Sequence, residues 1–335
     1  MVSAECPALV LAPMDGITDA SMRELQGEIG AFTYAVSEFI RVSNDALPSK
    51  VFRREVPELT SGSKTSTGLP VQIQILGGKP HLMAQTAMNA MRAGATSIDI
   101  NFGCPAPTVN RNDGGATLLQ FPLRIKEVVR AVRGAMPSNF PVSAKLRLGW
   151  DDINSIYENA EMAAEGGAAW ITIHARTKLQ GYSPPVNWKA IQAVRKSLNI
   201  PVIANGDIWT FEDFLRCRDE TECEHFMIGR GALANPALSH QIARELGINK
   251  AEAPDLRWET LFRELIKEIE AVNGKCDKHS LMRLKQWSKL AHLYGDFPFF
   301  HQVKLCENLE QFFAILSGDQ NKFDVQVREM QPAFG

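Results

Sequence analysis

Eight times between Ala8 and Gly229 the chain repeats one unit. A strand of about five residues, in most cases ending on a polar residue or glycine, gives way to a segment of helical spacing. The strand candidates are Ala8–Ala12, Tyr34–Glu38, Val71–Leu76, Ser97–Asn101, Val142–Arg147, Trp170–His174, Val202–Asn205 and His225–Gly229. Helix-period segments such as His81–Ala93, Pro122–Gly134, Ile153–Glu165 and Trp188–Ser197 lie between most of them. Such alternation means parallel βα units, and eight of them close into an α/β fold, the (β/α)₈ TIM barrel, whose active site lies at the C-terminal ends of the strands. Near Gly247–Pro254 the repeat stops and the composition turns polar. From about Asp255 only helical periodicity remains, in Trp258–Val272, Ser280–Tyr294 and Phe299–Leu316. We therefore expect a barrel domain over residues 1–250 and a smaller, all-helical C-terminal domain over residues 251–335. Val42–Gly68 fits neither strand nor long helix and reads as an excursion over the barrel mouth.

Composition excludes several classes. The chain has 335 residues, is 45% hydrophobic and 22% charged, and carries a formal charge of −2, so no whole-protein basic field points to a polyanion and any such contact must be local. A secretory leader and an apolar run of ~18 residues are both missing from the pattern, so a cytoplasmic protein without a membrane segment is expected. The six cysteines form no CxxC pair and do not cluster with the 7 histidines, which suggests reduced thiols and no metal centre.

Period-2 alternation sorts the strands. Ile73 and Ile75 alternate with Gln72 and Gln74, Ile98 and Ile100 with Asp99 and Asn101, Ala144 and Leu146 with Lys145 and Arg147, Ile171 and Ile173 with Thr172 and His174. The surrounding helices need an apolar partner, so the aliphatic residues face outward. Gln74, Asn101, Lys145, Arg147 and His174 then converge on the upper rim. Each costs roughly 1–3 kcal/mol to bury unpaired, so a polar ligand is the natural reason for gathering them. Gln72 and Asp99, set deeper, read as internal hydrogen-bond partners. An inward lysine without an anion would be costly, which singles out Lys145.

Two further features fall on the same rim. Cys104, between Gly103 and Pro105, sits on a sharp turn after the fourth strand, exposed enough to react and rigid enough to be aimed. Asn205-Gly206-Asp207 and Gly229-Arg230-Gly231 follow strands seven and eight, where barrels commonly bind phosphate through glycine N–H groups. A phosphate there, with Lys145 and Gln74 across the mouth, has the dimensions of flavin mononucleotide. Lys145 would offset charge on the N1/O2 edge of the ring, and Gln74 would hydrogen-bond it.

Taken together, Ala12-Pro-Met-Asp-Gly16, Gln74-Ile-Leu-Gly77, Asn101-Phe-Gly-Cys-Pro105, Gly114-Gly-Ala-Thr-Leu-Leu119, Lys145-Leu-Arg147, His174-Ala-Arg-Thr177, Asn205-Gly-Asp207 and Gly229-Arg-Gly231 resemble the tRNA-dihydrouridine synthases, flavin enzymes that reduce uridine in tRNA. The likeness runs from about Leu9 to Leu316. Within that family it is closest to the bacterial C-type branch, which acts on uridine 16. That likeness rests on Glu38-Phe-Ile-Arg-Val42, Leu47-Pro-Ser-Lys-Val-Phe52, Arg147-Leu-Gly-Trp-Asp151, Gln180-Gly-Tyr182 and Arg283-Leu-Lys-Gln-Trp287. One position departs: the branch usually has lysine three residues after the cysteine, and here Pro107 stands there. The resemblance implies FMN held by Pro13, Met14, Asp15, Gln74, Lys145, His174, Asn205, Gly206, Asp207, Gly229 and Arg230. It implies Cys104 as catalytic acid, and tRNA contacts at Arg41, Asn101, Arg147, Tyr182, Lys285 and His292. A monomer is implied as well.

Reduction of the uracil C5=C6 bond needs a hydride at C6 and a proton at C5. A thiol of reference pKa near ~8.5 is mostly protonated at pH 7 and suits the second task. Asn101 would orient the pyrimidine, and Phe102–Ala116, a loop of ~15 residues, reads as a lid carrying the acid. The target base must be swung out of the RNA. Lys285, Lys289 and His292 lie at i, i+4 and i+7 of one helix with Arg283 and Lys278 nearby, and Lys275–His292 holds five Lys/Arg against one acid, a stripe suited to phosphates. NADPH or NADH would be the reductant, arriving transiently because no dinucleotide fingerprint is present. Two other readings share part of this pattern: a dihydroorotate-dehydrogenase-like flavoprotein acting on a free pyrimidine, and a non-catalytic RNA-binding barrel.

Overall fold

The structure is a computed structural model that describes Val2 and residues 6–111, 113–248 and 256–318. Eight parallel strands close into a barrel in chain order: β1 (Ala8–Leu11), β2 (Tyr34–Arg41), β3 (Val71–Leu76), β4 (Ile98–Asn101), β5 (Val142–Arg147), β6 (Ile171–His174), β7 (Val202–Asn205) and β8 (His225–Ile228). Helices α1 (Ala20–Ile29), α2 (Ser49–Glu55), α3 (Pro80–Ala93), α4 (Pro107–Asn110), α5 (Pro122–Ala135), α6 (Ser155–Glu165), α7 (Trp188–Ser197), α8 (Phe211–Thr221), α9 (Arg230–Ala234) and α10 (Leu238–Glu245) connect and follow the strands. Four more come last: α11 (Trp258–Asn273), α12 (Asp277–Tyr294), α13 (Phe300–Val303) and α14 (Leu309–Ser317).

Local chemistry sets many of these boundaries. Asp19 caps α1 by accepting the Met22 N–H, Thr210 and Asp213 form a capping box on α8, and Pro80, Pro107 and Pro122 open their helices where a missing N–H is harmless. Pro107, three residues after Cys104, thus starts α4. Gly94, at φ 117°, ends α3 in a conformation that favours glycine.

The aliphatic faces behave as alternation requires. Ile73, Ile75, Ile98, Ile100, Ala144, Leu146, Ile171 and Ile173 pack with the helices in one continuous apolar layer. Inside the barrel, Val10, Tyr34, Val36, Trp170, Ile203 and Met227 form a separate apolar plug, with the Tyr34 and Trp170 rings edge to face at 6.4 Å. A third cluster joins Met22, Leu25 and Ile29 of α1 and Leu233 of α9 to Phe262, Leu265, Leu284, Trp287 and Phe312 of the last helices. The C-terminal helices are thereby packed onto the barrel along an apolar seam.

Two expectations are corrected. Val42–Gly68 does not cover the mouth. It contains α2 and a 3₁₀ turn (Pro57–Ser61), and it runs down the flank beside α3: Leu47 N–H bonds Thr86 Oγ1 midway along the helix, while Leu59 reaches Gly94 at its end. Buried Phe52, Val56, Leu59 and Leu69 drive that placement. Phe299–Leu316 is two helices, not one, because Asn308, in extended backbone, caps α14 through the Gln311 N–H and breaks the run. The junction expected at residues 250/251 and the segment after residue 318 lie outside the described residues. No helix among the described residues is long and apolar enough to cross a membrane.

Candidate active site

A cavity of about 330 Å³ opens at the C-terminal ends of the strands. Its walls include Pro13, Met14 and Asp15 after β1, Gln74 of β3, Cys104 after β4, Lys145 of β5, His174 of β6, Asn205, Gly206 and Asp207 at β7, and Gly229 and Arg230 after β8. Parallel pairing alone brings several together: Asn101 lies in register with Lys145, Arg147 with His174, and His174 with Asn205.

A chain of buried hydrogen bonds sets the cysteine. Ser143 Oγ donates to Asp99 Oδ1 at 2.5 Å, and Gln74 Nε2 donates to Asp99 Oδ2 at 2.7 Å. Asn101 Nδ2 donates to Gln74 Oε1 at 2.8 Å, and Asn101 Oδ1 accepts from Gly103 N–H at 2.8 Å and Cys104 N–H at 2.9 Å. Both ends of the Gln74 and Asn101 amides are thus engaged within the protein, and Asn101 shapes the cysteine turn. Gln72 is likewise internal, donating to Ser143 Oγ at 3.0 Å. Burial, reinforced by the Asp15 charge, raises the Cys104 thiol above its ordinary pKa despite a backbone hydrogen bond from Ala106 and the nearby Arg147 and Lys145, so the thiol holds its proton at neutral pH. The segment Phe102–Ala116 is not an open loop. α4 lies within it, Ala116 N–H bonds Cys104 O at 3.1 Å, and Arg147 Nε bonds Gly103 O at 2.9 Å.

Lys145 faces Asn205, its Nζ 3.2 Å from Oδ1, while Asn205 Nδ2 is anchored on Met227 O at 2.8 Å. Burial and the Arg147 charge lower the lysine pKa to about 8. An anion in the cavity would relieve that cost. His174 is 8% exposed, and its Nδ1 finds no hydrogen-bond partner among the described residues. Burial, then Arg147, Lys145, Arg176 and Arg230, hold its pKa well below the ordinary value, so the ring is neutral.

The β7–β8 end is built for close backbone approach. Gly206 has φ +118°, and a Cβ on Gly231 would stand 2.1 Å from Ile208 O. Asp207 is engaged by Arg176, whose Nη1 lies 2.8 Å from Oδ1, and Arg230 Nη2 approaches it at 3.7 Å. The Arg230 guanidinium lies over the rings of Tyr182, Trp209 and Tyr294 at 4.6, 4.7 and 5.1 Å, and Trp209 stacks on Tyr294 at 4.2 Å. Arg176, Trp209 and Tyr294 are the residues sequence reading missed. Arg176 stood in a quoted motif, but its partner is 31 positions away. Tyr294 comes from α12, which no barrel pattern announces.

The expected RNA contacts separate. Asn101, Arg147 and Tyr182 line the cavity, whereas Arg41 borders a neighbouring one with Asp15, Glu38, Phe39 and Arg54 and donates to Thr108 O at 3.2 Å. Arg147 is 3% exposed and donates to Gly103 O, Thr177 O and Gly181 O, so it ties loops together and reaches only what enters the cavity. Lys285 and His292 line neither cavity: Lys285 Nζ donates to Cys306 O, and His292 bonds Phe297 O at 3.1 Å and stacks on Phe300. The expected basic stripe is therefore divided. Lys278 and Lys289 are exposed, Lys285 and His292 are half-buried, and Arg283 is buried against the barrel. Among the described residues no group of three or more His, Cys, Asp or Glu could hold a metal ion.

Residues 10–317 match the family model described as dihydrouridine synthase. The chain is similar to the tRNA-dihydrouridine(16) synthase of Shewanella oneidensis, 41% identical over 93% of this chain and 98% of that one. It is also similar to the proteins of that name from Haemophilus influenzae (41% identical, 90% and 96% covered) and Vibrio vulnificus (42%, 95% and 99%). Among solved structures, the old yellow enzyme homologue from Zymomonas mobilis superposes with a TM-score of 0.50 at 14% identity, covering 71% of this chain and 88% of that one, a likeness of fold.

Proposed function

The chain belongs to the dihydrouridine synthase family, and from that membership we propose that it reduces uridine 16 of tRNA to 5,6-dihydrouridine, using FMN in the barrel cavity, NADPH or NADH as reductant and Cys104 as proton donor. The carrying observation is the Cys104 thiol, held protonated in the wall of a cavity whose other walls present a half-buried lysine and glycine-lined strand ends.

The residues present fit FMN. The phosphate falls to Gly206, Gly229, Arg230 and Gly231, where side-chain-free backbone allows close approach. The His174 ring borders the same region, its Nε2 3.5 Å from where a Cβ on Gly206 would sit. Lys145 supplies a positive charge that lacks a full anionic partner, which suits the N1/O2 edge of the ring. Pro13, Met14 and Asp15 wall the ring from β1. Bound there, the flavin supplies the hydride for C6 of the pyrimidine. The protein's own part is to place the base and the proton. Gln74 and Asn101 fix the turn that aims Cys104, and Arg147 braces it from the far side through Gly103 O. Burial keeps the thiol protonated until C5 accepts the proton.

Arg41, at the edge of the neighbouring cavity, and the exposed Lys278 and Lys289 would give an RNA strand positive contacts outside the barrel. The half-buried Lys285 and His292 support that face from within. The barrel (residues 1–250) and helical part (251–335) would then share the work of chemistry and grip. A monomer acting in the cytoplasm fits this reading. The test is to incubate the protein, NADPH and dihydrouridine-free tRNA, then map dihydrouridine by position. Product at nucleotide 16 is expected. Reduction of free orotate or uridine with untouched tRNA would overturn the proposal.

A further inference from the structure

The motif Arg283-Leu-Lys-Gln-Trp287 has no place in the chemistry just described, and Arg283 and Gln286 lie on α12, outside the barrel. We propose that Arg283 and Gln286 are positioning residues for the cofactor: they fix the β1–α1 loop in the shape that walls the flavin, so that α12 is part of the cofactor site. The inference rests on the flavin reading above.

The loop runs Pro13–Thr18. Gly16 takes φ +71°, a conformation that favours glycine. Arg283 Nη1 donates to Gly16 O at 2.7 Å, Arg283 Nη2 to Ile17 O at 2.6 Å, and Gln286 Nε2 to Gly16 O at 2.8 Å. Gln286 Oε1 accepts from Arg283 Nη1, which locks the two side chains together, and Asp19 lies 3.2 Å from Arg283 Nη2. These are contacts across some 266 to 270 positions of sequence. From the gripped carbonyls the loop passes straight to the cavity wall: Ile17 N–H and Thr18 N–H both bond Met14 O at 2.9 Å, and Thr18 Oγ1 accepts the Met14 N–H at 2.7 Å. Met14 Sδ in turn reaches within 3.1 Å of the point where a Cβ on Gly229 would sit, at the phosphate end.

α12 also grips that phosphate end. Trp287 Nε1 donates to Leu233 O of α9 at 2.8 Å, and Tyr294 stacks on Trp209 while its hydroxyl lies 3.3 Å from Arg230 Nη1. Adhesion between helices and barrel is already supplied by the apolar seam of Met22, Leu25, Phe262 and Leu265. A guanidinium 5% exposed adds a desolvation cost to such a seam, and what it gains is a defined position for two loop carbonyls.

Apo full-length protein titrated with FMN, followed by quenching of flavin fluorescence and by the visible spectrum of the bound flavin, tests this. Gln286→Ala should weaken FMN binding several-fold, and Arg283→Lys, which can serve only one carbonyl well, about tenfold, each with an altered visible band. The control is Leu265→Ala, which lowers the unfolding temperature through the same seam and should leave FMN affinity unchanged. If Gln286→Ala and Arg283→Lys melt earlier yet bind FMN like wild type, the residues are only structural and the inference fails. Should Arg283→Lys not fold, the half-exposed Gln286→Ala decides alone. A wild-type chain that takes up no FMN would overturn the functional reading, and this inference with it.

Discussion

Asn101 Oδ1 accepts the backbone N–H of Cys104 at 2.9 Å, so the residue that ends β4 dictates where the thiol of the following turn points. The same oxygen takes the Gly103 N–H, and the amide nitrogen is pinned on Gln74. The thiol is therefore aimed by a side chain on a strand, a rigid element. Removing that side chain separates aiming from chemistry. Asn101→Ala strands two backbone donors and should cost about 1–3 kcal/mol of stability. Dihydrouridine formation should fall at least about tenfold while FMN affinity changes little. Chemical denaturation, FMN titration and single-turnover product assays on the same preparation check this, and unaltered turnover would show that the turn holds itself.

Cys104→Ala should keep bound flavin and its reduction by NADPH but lose product formation, read as dihydrouridine in tRNA. The wild-type pH profile carries independent information. Because burial raises the thiol pKa, the protonated donor persists through neutral pH and past the usual thiol range. Product formation by pre-reduced protein should fall only as pH climbs beyond that range. A fall centred near pH 7 would exclude the thiol as the acid.

Lys145 makes the apo protein's stability depend on pH in a defined direction. Its folded pKa is lowered to about 8 from an ordinary 10.5, so between those values the unfolded chain binds more protons and stability rises with pH. Below pH 8 the half-buried charge costs up to about 3 kcal/mol. Lys145→Met should accordingly be more stable than apo wild type at pH 7, with the difference shrinking toward pH 10.5. It should also lose FMN affinity. A pH-independent difference in denaturation midpoints would show that the lysine is not desolvated.

How far the sequence carried this structure depends on the period of the signal. Strand registers were legible in β3 to β6 because inward and outward residues differ in polarity, as in Gln72–Ile75 and Lys145–Arg147. In β1 both faces are apolar, and in β7 and β8 only the end residues Asn205 and His225 are polar, so the interior plug of Val10, Ile203 and Met227 left no alternation to read. Of the cavity, the residues at strand ends were legible for the same reason that barrels put function there. The fate of Arg283 was not, since a basic residue at helical spacing looks alike whether its face meets solvent or a loop 267 positions earlier. Nor was the break before α14, where one Asn308 cap outweighs a continuous helical pattern.

Gly231 tests the close approach of the β7 and β8 loops. A Cβ there would stand 2.1 Å from Ile208 O, which is backbone and cannot rotate away. Gly231→Ala should therefore destabilise the fold by about 1–3 kcal/mol and weaken FMN binding, because the strain falls where the phosphate is proposed to sit. Wild-type denaturation with weakened FMN would mean that the loop moves at no cost to the fold.

The division of the α12 cations gives opposite expectations for residues that look alike in the sequence. Lys289 is exposed, so Lys289→Glu should weaken tRNA binding several-fold, reduce the slope of log affinity against log salt by about one, and leave stability unchanged. Lys285 donates to Cys306 O, where α13 turns toward α14, so Lys285→Met should lower the unfolding temperature by leaving that carbonyl without its donor. Binding measured at several salt concentrations, paired with melting curves, separates the two. Equal loss of tRNA affinity in both variants with unchanged melting would mean that the Lys285 ammonium leaves its carbonyl for phosphate when RNA arrives.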